Sequence, residues 1–125
     1  MRAFALAMLL TTATLHAGSA RQPQSTARIV EITAERFEFW PPEITMTEDE
    51  VVELRLRSDD TAHGFRLVGT STSLVIPKRG KGVATATLTG LTPGKYTFEC
   101  NRMCGAGHHF MRGVLKVIPA TGVTP

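Results

Sequence analysis

Val51-Val-Glu-Leu-Arg-Leu-Arg57 alternates strictly from its second residue: Val52, Leu54 and Leu56 face one way, Val51, Glu53, Arg55 and Arg57 the other. Successive side chains leave a pleated strand on opposite sides, so this period of two marks a strand with one buried face. The same period recurs in both directions. Upstream, Arg28 to Thr33 and Arg36 to Trp40 alternate or nearly so, and Pro41-Pro42 ends the run by removing ladder donors; Ile44 to Met46 reads as a short extended piece. Downstream come the turn Ser58-Asp59-Asp60, the runs His63 to Val68 and Leu74 to Ile76 up to Pro77, a basic glycine turn from Lys78 to Gly82, and alternating Val83 to Leu88. Thr92-Pro93-Gly94 turns again before the last two runs, Lys95 to Glu99 and Gly113 to Ile118. Roughly seven or eight short strands with no convincing helix predict an all-β fold, a Greek-key antiparallel β-sandwich.

The chain has 125 residues, 42% of them hydrophobic, which suffices for one domain with one core. Its long apolar run, Met1 to Leu15, carries Arg2 as a positive start, Ala3 to Leu10 as the apolar stretch, and Gly18-Ser19-Ala20 as a small-residue cleavage site. That is the pattern of a secretory signal peptide. The expected organisation is a signal peptide over residues 1–20, a flexible segment over 21–27, the domain over 28–119 and a flexible tail over 120–125. The apolar run falls short of the roughly 20 residues a bilayer span needs, so no membrane span is expected in the mature chain. The expected location is outside the cytoplasm, periplasmic or secreted, where a cysteine pair is by default a disulfide.

Charge is unevenly spread. Residues 28–60 hold ten acidic side chains against four arginines, whereas from residue 61 onward eight basic residues face Glu99 alone. Within this basic half lies Cys100-Asn-Arg-Met-Cys104-Gly-Ala-Gly-His108-His109-Phe110-Met111, holding the only two cysteines in the spacing C-x3-C-x3-H-x2-M. Thiolate and thioether are soft donors that select cuprous copper and imidazole serves both copper oxidation states, so this set suits a copper ion that cycles between them. Plainer readings compete at each residue. Cys100 and Cys104 can form a disulfide, His63 can be a core or turn histidine, Met111 can be core packing, and Cys100, Cys104, His63 and His108 can make a structural zinc site. Zinc, however, has no use for Met111. His63 can join the loop only if its turn lies at the same end of the sandwich. Met103 reads as packing or surface, and His109 as an exposed rim residue.

Ser58-Asp-Asp-Thr-Ala-His63-Gly-Phe65, the cysteine loop, and Phe37-Glu-Phe39 with Pro42 and Ile44 together resemble the cupredoxins, over about residues 29–118. Within that family they resemble the binuclear CuA domains of cytochrome c oxidase subunit II and nitrous oxide reductase. A mononuclear blue-copper site has one cysteine in this loop, and a second at this spacing marks the binuclear form. The resemblance implies two copper ions bridged by Cys100 and Cys104 and capped by His63 and His108, with Met111 and the backbone carbonyl of Arg102 as weak outer ligands. It also implies fast electron transfer, because the charge change is shared over both metals. The position of Arg102 holds a magnesium-binding glutamate in oxidase subunit II and a tryptophan in the reductase. A guanidinium cannot ligate a cation, so that magnesium contact is lost here.

The expected function is therefore copper-based electron transfer, with a redox partner protein as donor or acceptor. The alternative is a copper chaperone or storage protein that delivers copper to a respiratory metalloenzyme. An enzyme is not expected, because every copper position is filled and no open site is left for a substrate. Arg102 and Arg112 lie in or beside the loop, so a docking partner should be neutral or acidic unless these charges are ordinary solvated strand faces. Nucleic acid is not expected, since the basic residues are not clustered with stacking aromatics.

Overall fold

The computed structural model describes residues 26–121. The expected signal peptide over 1–20, and residues 21–25 and 122–125 of the flanking segments, lie outside that range. Among the described residues nine strands run in chain order: β1 (Arg28–Glu35), β2 (Glu38–Trp40), β3 (Glu43–Thr47), β4 (Val52–Ser58), β5 (His63–Leu67), β6 (Ser73–Ile76), β7 (Ala84–Leu88), β8 (Gly94–Glu99) and β9 (Arg112–Ile118). They form a four-stranded sheet ordered β2-β1-β4-β7 and a five-stranded sheet ordered β3-β9-β8-β5-β6. The all-β two-sheet class is the expected one. The strand count is slightly higher, because even the three-residue β2 pairs with β1.

Two pairings are parallel instead of antiparallel. β1 runs beside β4 from Arg28↔Val52 to Ala34↔Ser58, and β3 beside β9 from Glu43↔Val114 to Thr47↔Ile118. Alternation fixes which face of a strand is buried and is silent on the direction of its neighbour. After the β1–β2 hairpin the chain crosses to the other sheet as β3, and β4 returns beside β1 in the same direction. Parallel neighbours require a crossover of this kind.

The core follows the period-two pattern. Val52, Leu54 and Leu56 are all but fully buried, together with Ile32, Phe39, Phe65, Leu67, Phe98 and Leu115. Phe39, Phe65 and Phe98 meet with ring centroids 5.4 to 5.9 Å apart. Fully burying each such side chain stabilises the fold by about 1.5–3 kcal/mol. Among the described residues no helix is long and apolar enough to cross a membrane.

Register places the chemistry. Arg66 of β5 pairs with Glu99 of β8, and Glu99 pairs with Arg112 of β9. The start of β5, the end of β8 and the start of β9 therefore share one end of the sandwich. His63, Cys100 and Met111 sit at those three termini.

Candidate metal centre

The loop between β8 and β9 is closed by a hydrogen bond from the Cys100 N–H to the Met111 carbonyl, 3.0 Å. Its second half is a single 3-10 turn over His108–Phe110. This turn brings His108 back over Cys104. Both cysteines are free, buried and part of the same apolar cluster as the core strands. Their Sγ atoms lie 3.8 Å apart, far beyond the roughly 2.05 Å of a disulfide. The expected alternative of a Cys100–Cys104 bridge is not the arrangement seen.

The donor atoms of His63, Cys100 and Cys104 all lie within 4.8 Å of one another. Cys104 Sγ is also 3.7 Å from His108 Nδ1 and 3.9 Å from Met111 Sδ. Cys100 Sγ lies 3.1 Å from the Arg102 carbonyl oxygen and accepts the Gly64 N–H at 3.4 Å. The structure thus gathers all six residues singled out in the sequence. His109 is exposed and stacks edge-on against His108, and Met103 is surface, 70% exposed.

His63 carries the clearest sign of an intended ligand. It is fully buried, its Nε2 lies 2.6 Å from Asp60 Oδ1, and its Nδ1 has no hydrogen-bond partner. Burial works to raise the Asp60 pKa, but hydrogen bonds from His63 and from the N–H groups of Arg36 and Thr61 outweigh it and hold the carboxyl below its ordinary value of 3.8. An ionised Asp60 accepts, so Nε2 carries the proton and Nδ1 keeps a free lone pair to offer a metal. A carboxylate that fixes the tautomer of a metal-binding histidine is a recurrent outer-shell device. An unpaired buried nitrogen otherwise costs about 1–3 kcal/mol, which a metal bond offsets. Two thiols, a thioether and an oriented imidazole therefore fit a copper centre.

Gly64, next to His63, is required by a close approach. A Cβ there would come within 2.8 Å of the Arg102 backbone nitrogen and 2.1 Å of Asn101 Oδ1. The loop can press against β5 only because this residue has no side chain.

The β1–β2 hairpin tip was not singled out in the sequence as part of the site, yet it braces the loop. Arg36 donates from its N–H to Asp60 Oδ2 at 2.9 Å and from Nε to the Cys104 carbonyl at 2.8 Å. Phe37 packs so closely over Gly105 and Gly107 that a Cβ on Gly107 would lie 2.2 Å from the ring. Phe37 shares parity with core residue Phe39, and that repeat was the available signal. Arg36 gave none, because its partner carbonyl lies 68 residues away. Changing Arg36 to Met removes the side-chain bond and the positive charge but keeps the backbone bond to Asp60. We expect copper affinity to fall about 10- to 100-fold, the usual cost of losing an outer-shell partner; competition with a copper chelator measures it.

The chain matches the model of the cupredoxin-like domain over residues 2–117. It is 33% identical over 89 residues to cytochrome c oxidase subunit 2 of Thermus thermophilus, covering 70% of this chain and 64% of that relative. The periplasmic domain of subunit II of cytochrome oxidase of Bradyrhizobium japonicum superposes with a TM-score of 0.66 at 14% identity, over 78% of this chain and 87% of that one. Auracyanin A, a blue copper protein of Chloroflexus aurantiacus, superposes with a TM-score of 0.60 at 15% identity, over 74% of this chain and all of that one.

Proposed function

The chain belongs to the cupredoxin-like domain family, and from that membership we propose that it is an exported electron-transfer protein built to hold a binuclear copper centre of the CuA type. Cys100 and Cys104 would hold both ions, His63 and His108 would each bind one, and Met111 and the Arg102 carbonyl would complete the set as weaker ligands. The observation that carries this reading is the pair of unbonded, buried thiols 3.8 Å apart, with a ring nitrogen of His63 within 4.8 Å of both and Nδ1 of His108 3.7 Å from Cys104 Sγ. A mononuclear blue-copper site uses one cysteine in this loop, so the second buried thiol is what supports the binuclear form over the blue-copper one.

The bound copper pair supplies one-electron chemistry. The protein's part is to fix the donors: the Asp60 carboxylate holds the His63 ring, the Gly64 N–H supports the Cys100 sulfur, and the 3-10 turn and Arg36 hold the Cys104 side of the loop. Donors anchored on three strand ends and enclosed by a folded core lower the reorganisation an electron transfer demands. The same rigidity argues for a carrier over a copper chaperone, which must release its metal. In this reading no substrate bond is made or broken, the location is periplasmic or secreted, and a redox protein is the partner.

Copper stoichiometry together with the electron paramagnetic resonance spectrum of copper-loaded protein tests the proposal. Two coppers per chain and a seven-line pattern, as one unpaired electron shared over two equivalent copper nuclei gives, are expected. A single colourless ion, or a four-line single-copper spectrum, would refute it. Met111, whose side chain is buried against Cys104, should act as a tuning ligand. Met111→Leu is nearly isosteric, so copper should stay bound while the reduction potential shifts. An unchanged potential in voltammetry would make Met111 a packing residue.

A further inference from the structure

We infer that the metal-bearing end of the sandwich is a docking face for an acidic protein partner. The inference rests on the electron-carrier reading and adds the chemistry of the partner to it.

Topology collects cations at this end that are far apart in sequence. β6 finishes here, since Ile76 pairs with His63, and β7 begins here, since Ala84 pairs with Leu56 near the end of β4. The basic turn between them, with Lys78, Arg79 and Lys81, is tied to the site by the Arg79 N–H donating to the Asp60 carbonyl at 3.0 Å. Arg36 comes from the hairpin tip, Arg102 from the metal loop and Arg112 from the strand that follows. All six are exposed, and among the described residues none of them forms an ion pair with a carboxylate.

The carboxylates at this end are mostly spoken for. Asp60 is bound to His63, Asp59 to Arg57, and Glu99 to Arg66. Glu35 and Glu38 remain, flanking the hairpin tip. At the far end the balance reverses: the turn between β3 and β4 carries Glu48, Asp49 and Glu50, of which only Glu50 is ion-paired, to Arg28. The domain is therefore a charge dipole with its positive pole over the metal site.

Apolar groups sit among these cations. Phe110, between the ligands His108 and Met111, is 81% exposed, and Met103, beside Cys104, is 70% exposed. An aromatic ring and a flexible thioether left in water beside a buried metal site form the kind of apolar centre that a partner covers, and the surrounding charges decide which partner. An acidic surface is attracted and oriented; a lysine-rich one is repelled.

The test is an amide chemical-shift titration of this protein with two small cytochromes c, one acidic and one basic. It is run on metal-free and on copper-loaded protein, at about 20 mM and about 200 mM salt, a range over which screening of exposed charges strengthens severalfold. The acidic cytochrome should shift amides of residues 78–82 and 102–112 in both forms, with affinity falling roughly tenfold or more at the higher salt. Lys78→Glu/Lys81→Glu, which touches no metal donor, should weaken that binding by a similar factor while the other amides stay in place. Equal or tighter binding of the basic cytochrome, or acidic binding indifferent to salt and to the charge reversal, overturns the inference. Copper content is measured separately: docking without any copper binding would sink the carrier reading alone, and copper binding without acidic docking would sink this inference alone.

Discussion

Cys100→Ser and Cys104→Ser are each expected to abolish the proposed binuclear centre, with loss of the purple mixed-valence absorption such a centre gives and a fall in copper content from the proposed two ions per chain to at most one. The reason is donor chemistry. A thiolate is soft and can share its electron density between two metals, whereas a serine hydroxyl is a hard donor that keeps its proton at neutral pH. The fold should survive, because each cysteine is one small member of a large apolar cluster, and a buried hydroxyl left unpaired costs only about 1–3 kcal/mol. The two variants should also differ. Cys100→Ser leaves Cys104 with His108 and Met111 beside it, at 3.7 and 3.9 Å, a set that can still hold one copper. Cys104→Ser removes the sulfur that both of those groups face, so its residual copper should be lower. Metal analysis and the visible spectrum of each variant decide the matter. A purple spectrum surviving either change would refute the bridging assignment.

Much of this site was legible because its signals are local. The spacing within residues 100–111 holds the two cysteines, His108 and Met111 in one short loop, and Val52, Leu54 and Leu56 proclaim their buried face by alternation alone. His63 was legible through the pattern around it, but its place beside the loop depends on β5 and β8 pairing at the right register, which no residue announces. What stayed hidden is long-range and directional. The parallel pairings of β1 with β4 and of β3 with β9 leave no trace in a period of two. Arg36 reads as one more polar strand residue until the hairpin is folded over the loop. Asp60 reads as a turn former, and its second task, fixing the His63 tautomer, appears only when the buried ring is seen with one nitrogen satisfied and the other not. The glycines of the loop show the same limit: nothing in the sequence around Gly107 points to Phe37, and in the fold it is the space that Phe37 fills.

Copper affinity should rise about tenfold for each pH unit from the Cys104 thiol alone, across the whole range from pH 6 to about 9. Burial, and then the neighbouring Cys100, push this thiol up from an ordinary 9.0 to about 11, while the charge of Arg36 pulls modestly the other way. At neutral pH the metal must therefore displace a proton from it, and the fraction ready to bind grows tenfold per unit until the pKa is reached. Every further ligand proton displaced steepens the slope. The metal-free protein should show the opposite trend in stability. Because the folded pKa lies above the unfolded one, the contribution of this thiol is fully present below about pH 9 and is lost as pH rises towards about 11, where only the unfolded chain has already released the proton. Copper-loaded protein, with that proton gone beforehand, should be spared this loss. Chelator competition at a series of pH values gives the first slope, and denaturant melts of both forms between pH 8 and about 11 give the second. An affinity that does not change with pH would mean that Cys104 is already a thiolate in the metal-free fold, held by the charge of Arg36 against the cost of burial.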